Sequence, residues 1–257
     1  MKLLKQGNTG ADVKKWQYFL LGQGHYVGAV TGIFGPETHK ASVAFQKAHR
    51  LQPDGIVGNK TIGRAMQLGF GLLNDSRTDI LSENFPAKPA FSPLVTNAER
   101  AKHFGTIRFT PNPVPGNREN IAITNNWDKN HIIKINIPQL IPIKGTGTVY
   151  FHKKGADQLR SLFADWEAAG LMHHVLTWDG AYTPRFVRGS NKVLSNHAFG
   201  TAFDINMAWN RLGAIPALVG QKGSVRTLVQ LAHQNGFYWG GHFKRKDGMH
   251  FEIAQIR

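Results

Sequence analysis

Ser195-Asn196-His197-Ala198-Phe199-Gly200-Thr201-Ala202-Phe203-Asp204 is the stretch that decides how this chain is read. It sets a histidine before, and a carboxylate after, a small-residue turn at Gly200. Past the turn, Ala202, Asp204 and Asn206 alternate with Phe203 and Ile205. That period of two predicts a strand with one apolar face and one face carrying Asp204. A second stretch, Asp247-Gly248-Met249-His250-Phe251-Glu252-Ile253, alternates in the same way, with His250 and Glu252 on one face and Phe251 and Ile253 on the other. A carboxylate held on a rigid strand beside imidazoles suits a metal ion, so His197, Asp204 and His250 make a candidate His₂Asp site. Three protein ligands leave zinc a fourth position for water, which separates a catalytic site from a closed structural one. Such an ion lowers the pKa of its water and polarises a carbonyl, and hydrolysis further needs a base to move the proton. Asp247, three residues ahead of His250, can stand beside the metal without ligating it.

These residues resemble a known family. S-x-H-x-x-G-x-A-x-D followed by D-x-x-H-F-E is similar to the motif pair of the VanY-type D-Ala-D-Ala metallopeptidases, and most to their phage and bacterial L-alanyl-D-glutamate endopeptidases. Gly236-Phe237-Tyr238-Trp239-Gly240-Gly241 resembles an aromatic-glycine segment of that family. The resemblance implies one catalytic zinc on His197, Asp204 and His250, with Asp247 as the catalytic base. Many relatives carry Glu at the base position; the endopeptidase branch has Asp, as here. The resemblance also implies an arginine ahead of the first motif that holds substrate or steadies negative charge. Arg185 is the first choice for that catalytic role, and Arg188 is the second, as a substrate-binding residue. Ser195, the motif's leading serine, faces the substrate cleft in the family; the alternative is a local turn hydrogen bond. Glu252 either orients a ligand from behind or lies at the surface. His242 competes weakly as a ligand because Gly241-His242-Phe243 lacks the family context, and His173 and His174 read as structural or exposed.

The first third of the chain has its own pattern. Three helices are predicted: Gly10 to Gly22 with Val13, Trp16 and Leu20 on one face; one from Pro36 with Ala41, Ala44, Phe45 and Ala48; and a short one from Asn59 with Ile62, Ala65 and Met66. An internal repeat joins them. Thr31-Gly32-Ile33-Phe34-Gly35-Pro36-Glu37-Thr38 echoes Asp54-Gly55-Ile56-Val57-Gly58-Asn59-Lys60-Thr61, each copy a glycine-bracketed turn leading into a helix. With Trp16-Gln17 and Phe45-Gln46, this resembles the peptidoglycan-binding domain type 1 module, with Thr31 where that family usually has Asp. The bland alternative is a small helical scaffold without a binding surface.

The expected organisation is a peptidoglycan-binding domain over 1–68, a Pro-, Gly- and Asn-containing linker over 69–95, and a zinc peptidase domain over 96–257. In the last, strands are predicted over 132–137 and 174–178, a helix over 156–169, and a helix capped by Ser224 and closed by Gly236. The fold class is α+β: a small three-helix N-terminal domain and a mixed helix and antiparallel-sheet domain.

Bulk properties set the outer limits. The 257 residues carry 31 Lys+Arg against 16 Asp+Glu, a net charge of +15, and such a chain is drawn to polyanions: nucleic acid, acidic membrane or anionic wall. No nucleic-acid-binding motif accompanies the charge, so no specific nucleic-acid partner is expected. With no cysteine, disulfides and thiolate metal sites are excluded. No apolar run reaches the roughly 18 residues of a membrane span, and the N-terminus lacks a secretory h-region. A wall enzyme of this kind suggests a phage endolysin held in the host cytoplasm and released to the wall, or else an extracellular or wall-associated protein; a monomer is expected. The leading expectation is a bacteriolytic hydrolase cutting a stem-peptide amide, at L-Ala–D-Glu. The alternatives are a D,D-carboxypeptidase or dipeptidase releasing D-Ala, and an inactive wall-binding protein that retains its zinc site.

Overall fold

Helices α1 (Ala11–Gly22), α2 (Pro36–Ala48) and α3 (Asn59–Gln67) open a computed structural model that describes residues 3–70 and 84–257. Their apolar faces meet in one core, where Val13, Trp16, Phe19 and Leu20 of α1 lie against Ala41 and Phe45 of α2 and Ala65 of α3. Trp16 stands edge-on to Phe45 and donates its indole N–H to Ser42 Oγ at 2.9 Å, so the buried polar atom is satisfied. Met66, expected on the inner face of α3, is 53% exposed; Thr61 and Ala65 point inward instead. Thr61 is drawn in by its hydroxyl, which accepts from Gln46 Nε2 at 3.1 Å.

The repeat is explained by two glutamines. Gln46 Oε1 accepts from the Gly55 N–H at 2.8 Å, while Nε2 donates to Ile56 O and Asp54 Oδ1, each at 2.9 Å. Gln17 repeats this one turn earlier, accepting from Gly32 N at 2.9 Å and donating to Ile33 O at 3.0 Å. Gly32 and Gly55 both sit at positive φ, near +73° and +71°, where a side chain would be strained. Thr31 takes the place of Asp54 with its hydroxyl oxygen, at a longer 3.4 Å from Gln17 Nε2.

The chain divides into Met1–Lys88 with Leu218–Gln221, and Pro89–Ala217 with Lys222–Arg257. Of the linker expected over 69–95, residues 71–83 lie outside the described residues. Phe85 is buried in the core of the first unit.

The second unit contains three antiparallel sheets. Strands β1 (Phe109–Pro111) and β2 (Ile121–Ile123) pair, as do β3 (Ile132–Asn136) and β4 (Thr148–His152). The third sheet has β5 (Trp178–Gly180), β6 (Ala202–Ile205), β7 (Phe237–Trp239) and β8 (His250–Ile253) in the order β5-β6-β8-β7. Its inner face stacks Trp178, Phe203 and Phe251 across three strands, with neighbouring rings 5.4–5.5 Å apart. Beneath them packs the helix Ala156–Ala168, which buries Leu159, Leu162, Phe163 and Trp166. The unit is thus mixed helix and sheet, as expected, and no helix among the described residues is long and apolar enough to cross a membrane.

Two predicted elements differ. The strand expected over 174–178 begins only at Trp178. Asn206 Oδ1 accepts from Leu176 N at 2.8 Å and Thr177 N at 3.0 Å, and its Nδ2 donates to His174 O, so a side-chain amide takes the place of a neighbouring strand. The helix expected from Ser224 starts as a 3-10 turn over Arg226–Leu228 and becomes α-helical at Val229–Gln234. Ser224 Oγ is turned back to donate to Ala217 O at 3.1 Å, and it only weakly caps Arg226 N at 3.5 Å.

Candidate metal centre and its cleft

The register of the four-stranded sheet builds the centre. Asp204 of β6 lies directly opposite His250 of β8, and Ala202 opposite Glu252, so both carboxylates and His250 project from the face opposite the aromatic stack. His197 comes from the 3-10 helix Asn196–Phe199 rather than from a strand. Ser195 Oγ caps that turn by accepting from His197 N at 3.2 Å. Gly200 ends it at φ +60°, where a Cβ would meet Ile132 Cδ1 at 2.6 Å. The chain thereby reverses within one residue and delivers His197 above Asp204.

His197 Nε2 lies 3.1 Å from Asp204 Oδ2 and 3.1 Å from His250 Nδ1, and His250 Nδ1 lies 2.9 Å from Asp204 Oδ1. Ligand atoms bound tetrahedrally to one zinc ion stand roughly 3.3–3.5 Å apart, so this triangle needs to open by only a few tenths of an ångström. These are the three residues, among those described, whose ligand atoms converge as a metal site would require. Each histidine engages its other nitrogen elsewhere: His197 Nδ1 meets Ala181 O at 2.6 Å, and His250 Nε2 meets Glu252 Oε2 at 2.9 Å. Such outer partners fix ring orientation and leave the inner nitrogens facing the cluster. The electrostatics favour a cation. Burial would raise Asp204, but His197 and His250 outweigh it and hold the carboxylate well below its usual range. Burial likewise disfavours a charged His250, yet its bonds to Asp204 and Glu252 prevail and carry it up to about 10.

A cleft of about 810 Å³ opens on the cluster, and Asp247, Arg185, Arg188 and Ser195 line it. Asp247 Oδ1 is buried and has no hydrogen-bond partner among the described residues. Burial, helped by Asp204, raises its pKa, against His250, His197 and Arg185. Arg185 is half-buried; its desolvation is opposed by the charges of Asp204 and Asp247, and its Nη1 donates to Phe186 O at 3.1 Å. Arg188 is held at the rim by Glu119 Oε2 at 2.6 Å and Asn117 Oδ1 at 3.1 Å. Ser195 is among the residues that line the cleft, and its hydroxyl caps the His197 turn. His242 packs against the His233 ring, 5.2 Å away, and belongs to a different cluster, while His173 is exposed. Sequence reading missed Ala181, Asn196 and Arg100; the carbonyl of Ala181 leaves no trace in residue type.

Two family models match the chain. Residues 188–253 match the one described as D-alanyl-D-alanine carboxypeptidase, and residues 9–72 match a peptidoglycan binding domain. The two matches fit a modular, endolysin-like arrangement of an N-terminal peptidoglycan-binding domain and a C-terminal VanY-type peptidase domain. Together the matches support a peptidoglycan-acting peptidase of a metallopeptidase family, and the His-Asp-His cluster fits a metal site.

Proposed function

We propose that this protein is a zinc-dependent endopeptidase that hydrolyses the L-Ala–D-Glu amide of the peptidoglycan stem peptide, anchored to the wall through its N-terminal unit. The observation that carries the reading is a His₂Asp triangle and a buried, unpartnered carboxylate oxygen facing one cleft. His197, Asp204 and His250 would hold the ion. Bound there, zinc would make water acidic enough to ionise near neutrality and polarise the scissile carbonyl. Asp247 accepts the proton of the attacking water and returns it to the amide nitrogen as the C–N bond breaks. Its lack of a hydrogen-bond partner leaves the accepting oxygen available for that proton. Arg185 offers a fixed guanidinium to the negative charge that develops on the carbonyl oxygen. Arg188 and Ser195, on the cleft wall, contact the peptide, whose D-Glu carries a free carboxylate complementary to the arginines.

The L-Ala–D-Glu bond is favoured by Asp rather than Glu at position 247 and by the segment Gly236–Gly241, features of the endopeptidase branch that the sequence resembles. A second reading, a D,D-carboxypeptidase, is favoured by the description of the matched peptidase model. Digestion of purified muropeptides separates them. New N-terminal D-Glu with matching L-Ala C-termini is expected; release of free D-Ala with the L-Ala–D-Glu bond intact would move the protein to the carboxypeptidase reading.

A further inference from the structure

His250 and Glu252 are tied to a buried cation that no motif includes. Arg100, on the helix Asn97–Phe104, is only 4% exposed. Its Nε donates to Asn196 Oδ1 at 2.9 Å, across 96 residues of sequence. Asn196 Nδ2 in turn donates to Glu252 Oε2 at 2.6 Å, and that same oxygen faces His250 Nε2 at 2.9 Å. Donor and acceptor chemistry gives this chain one direction. A guanidinium can only donate, so the Asn196 atom facing Arg100 is its oxygen. The amide is thereby locked with its NH₂ towards Glu252. The carboxylate oxygen, receiving from Asn196, can take only a donor from His250, so the imidazole carries its hydrogen on Nε2. Nδ1 is left as the nitrogen that can shed its proton and offer a lone pair to an ion beside Asp204 and His197.

We infer that Arg100 and Asn196 are positioning residues for the metal centre, setting the orientation and tautomer in which His250 presents Nδ1 to the ion. The inference rests on the proposed metal site. Arg100 is itself held from outside the chain of bonds. Its Nη1 donates to Val95 O at 3.2 Å, and a Thr96–Glu99 capping box fixes the start of its helix. Without the guanidinium, the Asn196 amide is free to flip and offer its oxygen to Glu252, which turns the carboxylate away from His250.

The test measures zinc affinity of the full-length protein, with zinc alone as the probe, by competition against a chromophoric chelator. Arg100→Met and Asn196→Asp are each expected to bind zinc about 10- to 100-fold more weakly than wild type, the usual loss when an outer partner of a ligating histidine is removed. Arg100→Lys, which keeps a donor and a charge, is expected to recover part of that loss. Gln158→Ala removes bonds to Asn235 O and Gln255 O in the same unit and none of this chain of bonds; it should lower the melting temperature and leave zinc affinity unchanged. Wild-type affinity in Arg100→Met, or a loss in Gln158→Ala as large as in Arg100→Met, would overturn the inference. Should Arg100→Met fail to fold, Asn196→Asp, nearly identical in shape, decides alone. A wild-type protein that binds no zinc overturns the metal site itself, and this inference with it.

Discussion

Replacing Asp247 by Asn removes a charge while keeping the outline of the side chain, and the structure sets opposite expectations for rate and stability. Loss of a general base typically costs 10²- to 10⁴-fold in turnover, about 3–5.5 kcal/mol on the barrier. Stability moves the other way. Among the described residues Asp247 Oδ1 has no hydrogen-bond partner, so the substitution breaks no bond at that oxygen. Its folded-state pKa is raised, chiefly by burial, so the native state holds the proton more tightly than the unfolded chain. An acid of that kind costs stability at neutral pH and costs less as pH falls. Asp247→Asn should therefore melt at or above the wild-type temperature at pH 7, retain one zinc per chain, and lose nearly all turnover. The assays are chromatographic quantification of muropeptide products, elemental analysis of bound zinc and a thermal melt. Turnover within fivefold of wild type in the zinc-loaded variant would refute the base assignment. Loss of zinc from the folded variant would make Asp247 a ligand instead.

Other expectations follow from particular contacts. His152 is buried, and burial lowers its pKa from 6.5 to about 4, so the unfolded chain binds the proton more readily between those values. Stability fully present above about pH 6.5 should be lost as pH falls towards 4, on the order of 3 kcal/mol from this group, and His152→Gln should flatten that slope in denaturant titrations. Gln46→Ala removes four hydrogen bonds and leaves the Gly55 N–H without its acceptor and Ile56 O and Thr61 Oγ1 without this donor; calorimetry should show the N-terminal unit destabilised by about 2–4 kcal/mol. A fragment of residues 1–88 should sediment with purified peptidoglycan, and the remainder should attack intact wall more slowly than the full chain because tethering raises local concentration. A fragment left in the supernatant while the full chain pellets would place the anchor elsewhere.

Much of the site was legible in the sequence because strand alternation is a local signal. Phe203 and Phe251 must face a core, so Asp204, His250 and Glu252 face the other way, and antiparallel register then places Asp204 against His250. The three N-terminal helices were legible for a similar reason, from apolar spacing and glycine-bracketed turns. What failed depended on single side chains acting at a distance. The segment 174–178 has the composition of a strand, yet Asn206, about 30 residues later, takes its N–H groups. The Thr96–Glu99 box announces a helix, but nothing in Asn97–Phe104 says that Arg100 is buried or that its partner is Asn196. Met66 fits an apolar helical stripe, and only the hydroxyl bond of Thr61 shows which way the helix is turned.

The most direct test of the central claim is the rate of stem-peptide cleavage as zinc is titrated back into chelator-treated protein. Three ligands from one chain predict no cleavage without metal, and a rise that saturates at one zinc per chain. His197→Ala, Asp204→Ala and His250→Ala should each stay inactive at that stoichiometry. Full cleavage by the metal-free protein would contradict the account.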